Sequence, residues 1–228
     1  MTTPTLRSLI GTPGPKIGTF LFEFATPGIG EILKAAGADY AVLDMEHTGF
    51  SFETVRHIVR YCRAAELPLI VRVPSQQRHH ISRALDAGAE GIMVPIVSSI
   101  AQAAAVLDAA KYWPDGTRGV ALGLAHERYA MRGDPLLDRF AEQNERTVVI
   151  LQVEDPRGAG AADEIAALPG VDMLWLGHND LSVAMSKPGA FDDPAFLGHE
   201  RATIAAARKH GKSAGRLGVD ARQAVDLV

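Results

Sequence analysis

An α/β fold made of successive strand-then-helix units is what this sequence predicts, and three observations predict it. Several runs are nearly continuous in aliphatic and β-branched residues, as in Val148-Val149-Ile150-Leu151-Gln152-Val153, the mark of parallel strands covered on both faces. Between such runs, apolar residues recur at helical spacing. A short signal also repeats: Ala36-Gly37-Ala38-Asp39, Ala87-Gly88-Ala89-Glu90 and Pro169-Gly170-Val171-Asp172 each set a helix-ending glycine, a small residue and an acid before a strand. Units of this kind build a barrel or an open doubly wound sheet. No Gly-x-Gly-x-x-Gly or Walker pattern follows any strand, which argues against the nucleotide-binding open sheets.

The first strand is expected over 17–22. Thr26-Pro27 reads as cap and first helical residue, and Ile29, Ile32, Leu33 and Ala36 make the buried stripe before Gly37 closes the helix. The second strand, 40–43, runs into Asp44-Met45-Glu46-His47, and Ser51 caps a helix with Val55, Ile58, Val59 and Cys62 on one face. The third, 69–73, carries Arg72 inside an apolar run and stops at Pro74. The fourth, 91–95, leads to a helix expected to bury Ile100, Ala103, Ala104 and Leu107.

From 113 to 146 the rhythm breaks. Pro114-Asp115-Gly116-Thr117-Arg118-Gly119 is a turn, a polar excursion follows, and a short helix is expected over 135–143. So long a loop points to an active-site cover or a subunit contact. The fifth and sixth strands cover 148–154 and 173–177, and a seventh, 212–217, follows a helix closed by Gly211. Asp220 is expected to cap a further helix running to Val228. Seven strands do not close an eight-stranded barrel. The expectation is therefore one domain over 1–228, a TIM (β/α)8 barrel that is C-terminally incomplete, its eighth strand and helix missing from the given chain.

At 228 residues, 47% hydrophobic and 22% charged, the chain can bury one large core. Its formal net charge of -4 is spread along the sequence, so neither nucleic acid nor an anionic membrane surface is an expected partner, and the substrate is expected to be small. Cys62 stands alone, which excludes an internal disulfide and a cysteine-based metal site. Residues 1–15 carry no charged-then-apolar signal pattern, and no apolar run approaches the roughly 20 residues of a membrane helix. A cytoplasmic location is the expectation.

Chemistry concentrates at the strand ends. Glu154 and Asp180 follow the fifth and sixth strands, and adjacent parallel strands place their C-terminal ends on one rim. Two converging carboxylates suit a hard divalent cation. Either acid alone could simply cap the next helix. Gln152, on the same side of its strand as Glu154, adds a polar group to an otherwise apolar run. With Asp44, Glu46, His47 and Arg72 from the second and third strands, a barrel would gather a metal site, a His/Asp dyad and a cation in one mouth.

In Leu43-Asp44-Met45-Glu46-His47, Val71-Arg72-Val73-Pro74, Met93-Val94-Pro95, Gly116-Thr117-Arg118-Gly119, Leu151-Gln152-Val153-Glu154 and Gly177-His178-Asn179-Asp180-Leu181-Ser182, the chain resembles a known family. It is the HpcH/HpaI aldolase and citrate lyase superfamily, and within it the metal-dependent (class II) pyruvate aldolases. The resemblance covers essentially the whole chain. It implies reversible aldol cleavage of a 4-hydroxy-2-oxo acid to pyruvate, or a related 2-oxo acid, and an aldehyde. It implies Glu154 and Asp180 as ligands of Mg2+, Mn2+ or Co2+, His47 with Asp44 as the base, and Arg72 on the pyruvyl oxygen beside Gln152. Gly177 and Asn179 join the substrate-binding set, with backbone amides around Asn179 and Asp180 on the pyruvate carboxylate. It further implies a homohexamer built as a trimer of dimers. His178 stands where many members carry proline.

Rival readings keep the enolate chemistry but change the reaction, to a CoA-thioester lyase or an oxaloacetate decarboxylase, or make the chain a catalytically silent scaffold. A Schiff-base aldolase would need a lysine inside the barrel. None of Lys16, Lys34, Lys111, Lys187, Lys209 and Lys212 stands at the C-terminal end of an expected strand.

Overall fold

The computed structural model describes residues 5–10 and 12–218. The described chain divides into two compact units, one of residues up to Val94 and from Val106 to Val149, the other from Pro95 to Ala105 and from Ile150 onward.

The first unit contains α1 (Leu6–Ile10), β1 (Gly18–Leu21), α2 (Ile29–Ala35), β2 (Tyr40–Asp44), α3 (Phe52–Ala64), β3 (Leu69–Arg72), α4 (Arg78–Asp86) and β4 (Gly91–Val94). Helix α5 (Ile100–Ala110) enters it from the second unit, and a 3₁₀ turn at Ala125–Glu127 and α6 (Leu136–Arg146) complete it. Strand β5 (Val148–Val153) begins here and continues into the second unit, which adds α7 (Pro156–Gly160), α8 (Ala162–Ala167), β6 (Met173–Leu176), α9 (His178–Ala184), α10 (Pro194–Lys209) and β7 (Ser213–Arg216).

The fold is parallel α/β. In the first unit β1, β2, β3 and β4 pair in chain order, and the Val148 amide that opens β5 donates to the Glu90 carbonyl just before β4, 3.1 Å. In the second, β5, β6 and β7 pair in chain order. Strands β3, β4 and β5 are buried at every position, as their unbroken apolar runs require. Among the described residues no helix is long and apolar enough to cross a membrane.

Helix α3 follows its sequence closely. Ser51 accepts the Thr54 amide at its start, and Val55, Ile58, Val59 and Cys62 form its buried face. Two helices differ from expectation. In α2 only Ile29 and Gly30 are buried, while Ile32 is 61% exposed. The reason is close approach: a Cβ on Gly30 would stand 2.5 Å from the Tyr61 carbonyl oxygen, so the helix lies on α3 through its glycine and turns Ile32 outward. Its cap position is Gly28, not Thr26. In α5 the buried residues are Ala103, Val106, Leu107, Ala109 and Ala110, with Ile100 and Ala104 exposed.

The segment before α6 is anchored, not loose. Arg139 grips Glu127 through two nitrogens, and Asn144 takes the Tyr112 amide at 2.7 Å and returns a bond to its carbonyl at 2.8 Å. The helix expected after Asp220 lies outside the described residues, as would an eighth strand.

Candidate active site

Strand register in the first unit sets Asp44 beside Arg72, each the last residue of its strand. Asp44 is fully buried, and its Oδ1 accepts from Arg72 Nε at 2.6 Å and from the Glu46 amide at 3.0 Å. Its Oδ2 accepts from the His47 amide at 3.2 Å. One carboxylate thus closes the turn after β2 and fixes the plane of a guanidinium that is itself 8% exposed. Arg72 also lies 3.4 Å from Glu46 Oε2 and 5.0 Å from the centroid of the Phe20 ring.

His47 departs from the expected dyad. Asp44 meets its backbone, whereas the carboxylate nearest its ring is that of Glu46, 3.6 Å from Nε2. The ring is 60% exposed, open to a substrate or to water. The Asp44 oxygens are directed instead to Arg72 and to the amides of Glu46 and His47, in a turn closed by the Asp44 side chain that brings the His47 backbone, not its ring, onto the carboxylate.

In the second unit Val153 pairs with Leu176, so the residues following β5 and β6 share one edge. Glu154 is 5% exposed; its Oε1 accepts the Ile96 amide at 2.7 Å and its Oε2 accepts Gln152 Nε2 at 2.6 Å. Gln152 is buried as well, and its Oε1 has no hydrogen-bond partner among the described residues. An acceptor left bare in a buried position costs on the order of 1–3 kcal/mol, which a ligand hydroxyl or water would recover.

Two backbone features hold Glu154 that the sequence reading missed. Ile96 has φ +57°, a left-handed conformation unfavourable for a β-branched residue, and that conformation aims its amide at the carboxylate. Gly177 faces the same group: a Cβ there would stand 2.5 Å from Glu154 Oε2. The glycine expected to bind substrate is therefore required first to make room for the carboxylate. Gly177→Ala should push Glu154 aside and lower affinity for a divalent cation at least tenfold with the ligand set intact, a change calorimetric titration with Mn2+ would read; unaltered affinity would refute the steric role.

Asp180 lies in the first turn of α9, exposed, as is Asn179. Ser182 Oγ donates to the Asn179 carbonyl at 2.7 Å and accepts the Gly189 amide at 3.1 Å, tying the turn to the following loop. His178 does not face solvent: it is 3% exposed, edge-on to Phe191 at 5.1 Å between centroids, and burial followed by nearby Arg216 keeps its pKa below the usual histidine value.

Among the described residues no three His, Cys, Asp or Glu side chains converge closely enough to hold a metal by themselves. The set nonetheless fits a hard divalent ion. Glu154 and Asp180 offer oxygen donors only, the missing side chain at Gly177 makes room for the Glu154 carboxylate, and an acceptor with no hydrogen-bond partner among the described residues stands beside it. A two-carboxylate site leaves octahedral positions for water and a chelating ligand.

Residues 16–224 match the model of the HpcH/HpaI aldolase/citrate lyase family. The chain is 31% identical over 218 residues to the hydroxypyruvate/pyruvate aldolase of Roseovarius nubinhibens, covering 96% of this chain and 83% of that one. It is 33% identical over 193 residues to the 5-keto-4-deoxy-D-glucarate aldolase of Klebsiella pneumoniae, covering 85% and 74%. Among solved structures, an HpcH/HpaI aldolase/citrate lyase family protein from Burkholderia cenocepacia superposes with a TM-score of 0.87 at 30% identity, over 97% of this chain and 87% of that one.

Proposed function

The chain belongs to the HpcH/HpaI aldolase/citrate lyase family, and from that premise we propose that it is a metal-dependent pyruvate aldolase. It is a carbon-carbon lyase, like the aldolases it is similar to. The substrate is a 4-hydroxy-2-oxo acid, cleaved reversibly to pyruvate or a related 2-oxo acid and an aldehyde. One observation carries the reading: a buried carboxylate, Glu154, fixed by a strained Ile96 amide and by Gln152, with Gly177 lacking the side chain that would collide with it.

Glu154 and Asp180 would hold Mg2+, Mn2+ or Co2+, and the ion, when bound, polarises the ketone and lowers the cost of the enolate. Arg72, its guanidinium set in plane by Asp44, stabilises the oxyanion that develops at C2. His47 takes the proton from the C4 hydroxyl as the C3–C4 bond breaks, then returns a proton to C3. Its exposed ring and the Glu46 carboxylate at 3.6 Å suit that exchange. Gln152 Oε1 accepts a hydrogen bond from a substrate hydroxyl or an ordered water, and the amides near Asn179 and Asp180 take the substrate carboxylate. The TIM barrel expected from the sequence stays part of this proposal, supported by the sequential parallel pairing inside each unit.

An aldehyde panel with pyruvate, run with added metal and with chelator, tests the reading. Chelation should abolish turnover, and Mg2+, Mn2+ or Co2+ should restore it. Undiminished turnover in chelator, with borohydride trapping of pyruvate on a lysine, would defeat it; oxaloacetate decarboxylation as the only activity would move it to the rival reaction. The homohexamer implied by resemblance is part of the same proposal, and light scattering that found a monomer at micromolar concentration would remove it.

A further inference from the structure

Strand β1 supplies no group to the chemistry above, yet its C-terminal end stands against the arginine assigned to the substrate oxygen. The Phe20 ring centroid lies 5.0 Å from the guanidinium carbon of Arg72. Phe22, two positions on and just past the strand, stacks on Phe20 with ring centroids 5.4 Å apart and planes 10° from parallel. Exposure rises along this row. Arg72 is 8% exposed, Phe20 is half-buried and Phe22 is 45% exposed.

An isolated exposed phenylalanine needs no explanation. This one continues a stack whose inner ring rests on a cation, and that cation is itself fixed by Asp44 at 2.6 Å. The two rings therefore form a flat apolar surface that is set before any ligand arrives. Binding on a surface already ordered costs little further entropy. An aromatic group gains offset-stacked or edge contact there beyond simple burial, which an aliphatic chain or a polyol does not.

Charge narrows the choice further. In the first unit the turns after β1, β2 and β3 cover 22–28, 45–51 and 73–77, and none contains a lysine or an arginine. Glu23, Glu46 and His47 are their only ionisable residues. Arg72 is committed to Asp44 and Glu46, and Arg78, which opens α4, to Asp108 at 3.0 Å and Thr117 at 2.8 Å. A second carboxylate on the substrate would find no opposite charge in these turns, and two acids would oppose it.

We propose that the aldehyde partner of this enzyme is uncharged and carries an aromatic ring, which packs on Phe22 while Arg72 holds the pyruvyl oxygen. The inference rests on the pyruvate aldolase reading and deepens it by naming the class of aldehyde. Phe22 is then a specificity-determining residue. It meets the substituent on C4 and none of the reacting atoms, so its loss should separate one aldehyde from another instead of stopping the reaction.

Condensation of pyruvate with benzaldehyde, 4-carboxybenzaldehyde and glycolaldehyde, in the presence of Mn2+, provides the test. The wild-type chain should take benzaldehyde with a kcat/KM about tenfold above that for its 4-carboxy analogue. Phe22→Ala should lower kcat/KM for benzaldehyde about tenfold more than for glycolaldehyde, a ratio from which intrinsic aldehyde reactivity cancels, and Phe22→Tyr should restore it. Equal losses for the two aldehydes, or a preference for the carboxylated ring, would overturn the proposal. Equal losses with a smaller assembly by light scattering would assign Phe22 to a contact between copies instead. Exchange of the pyruvate methyl protons in deuterium oxide, which needs no aldehyde, reads the underlying aldolase chemistry separately. Wild-type exchange without the aromatic preference overturns this inference alone, and absence of exchange overturns both.

Discussion

Glu154→Gln should eliminate metal-dependent turnover, by at least about 10³-fold, while leaving the fold standing. The substitution keeps the volume but removes the charge and one acceptor oxygen. Its amide nitrogen would face either the Ile96 N–H or Gln152 Nε2, donor against donor. Gln152 supplies the remedy: rotation of its own amide turns the partnerless Oε1 toward the new donor, so the hydrogen bonds can be remade. Removing a buried negative charge also relieves a desolvation cost, so the unfolding midpoint should hold or rise. Calorimetric titration with Mn2+ beside thermal unfolding reads both quantities. Retained metal affinity would show that Glu154 is not a ligand, and a collapsed midpoint would show that its role is structural.

Arg72→Lys comes next in expected effect. Lysine retains the charge but not the planar fork, so it cannot bond Asp44 through Nε, lie over Phe20 and present a fixed edge to substrate at once. Turnover should fall about 10²–10³-fold, the usual scale for losing one preorganised oxyanion donor, with the loss in kcat more than in KM. Arg72→Met separates catalysis from architecture. It strands the fully buried Asp44 carboxylate, which keeps the Glu46 and His47 amides but loses its cation, at a stability cost of about 3 kcal/mol. If the lysine variant matched the wild type in kcat, the arginine would be only an ion-pair partner and the oxyanion assignment would be wrong.

Much of this was legible in the residues, for identifiable reasons. A parallel strand buried on both faces leaves an aliphatic run that little else in a protein leaves, so all seven described strands were located to within about two residues. Glu154 and Arg72 stood out because a charge ending or interrupting such a run is costly unless it is used, and Asp180 because it follows the neighbouring strand. Helix faces were less secure. The apolar spacing of α2 is compatible with more than one rotation, and the contact of Gly30 with the backbone of α3 selected the one that exposes Ile32. The partner of the His47 ring was not legible either, since a four-residue turn brings both Asp44 and Glu46 within its neighbourhood and only the folded turn distinguishes them.

By itself, then, the sequence determined the class of fold and the chemical kinds of side chain at each strand end, because periodicity and residue type are properties of the chain read locally, and its motifs carried the resemblance to the family. What only the tertiary structure decided is how those groups are held. Ile96 entered as an ordinary apolar residue and became, through a left-handed backbone, the donor that fixes Glu154. Gly177 became the space that carboxylate needs. Hydrogen-bond direction and excluded volume depend on atoms brought together from distant segments, and no local pattern encodes them.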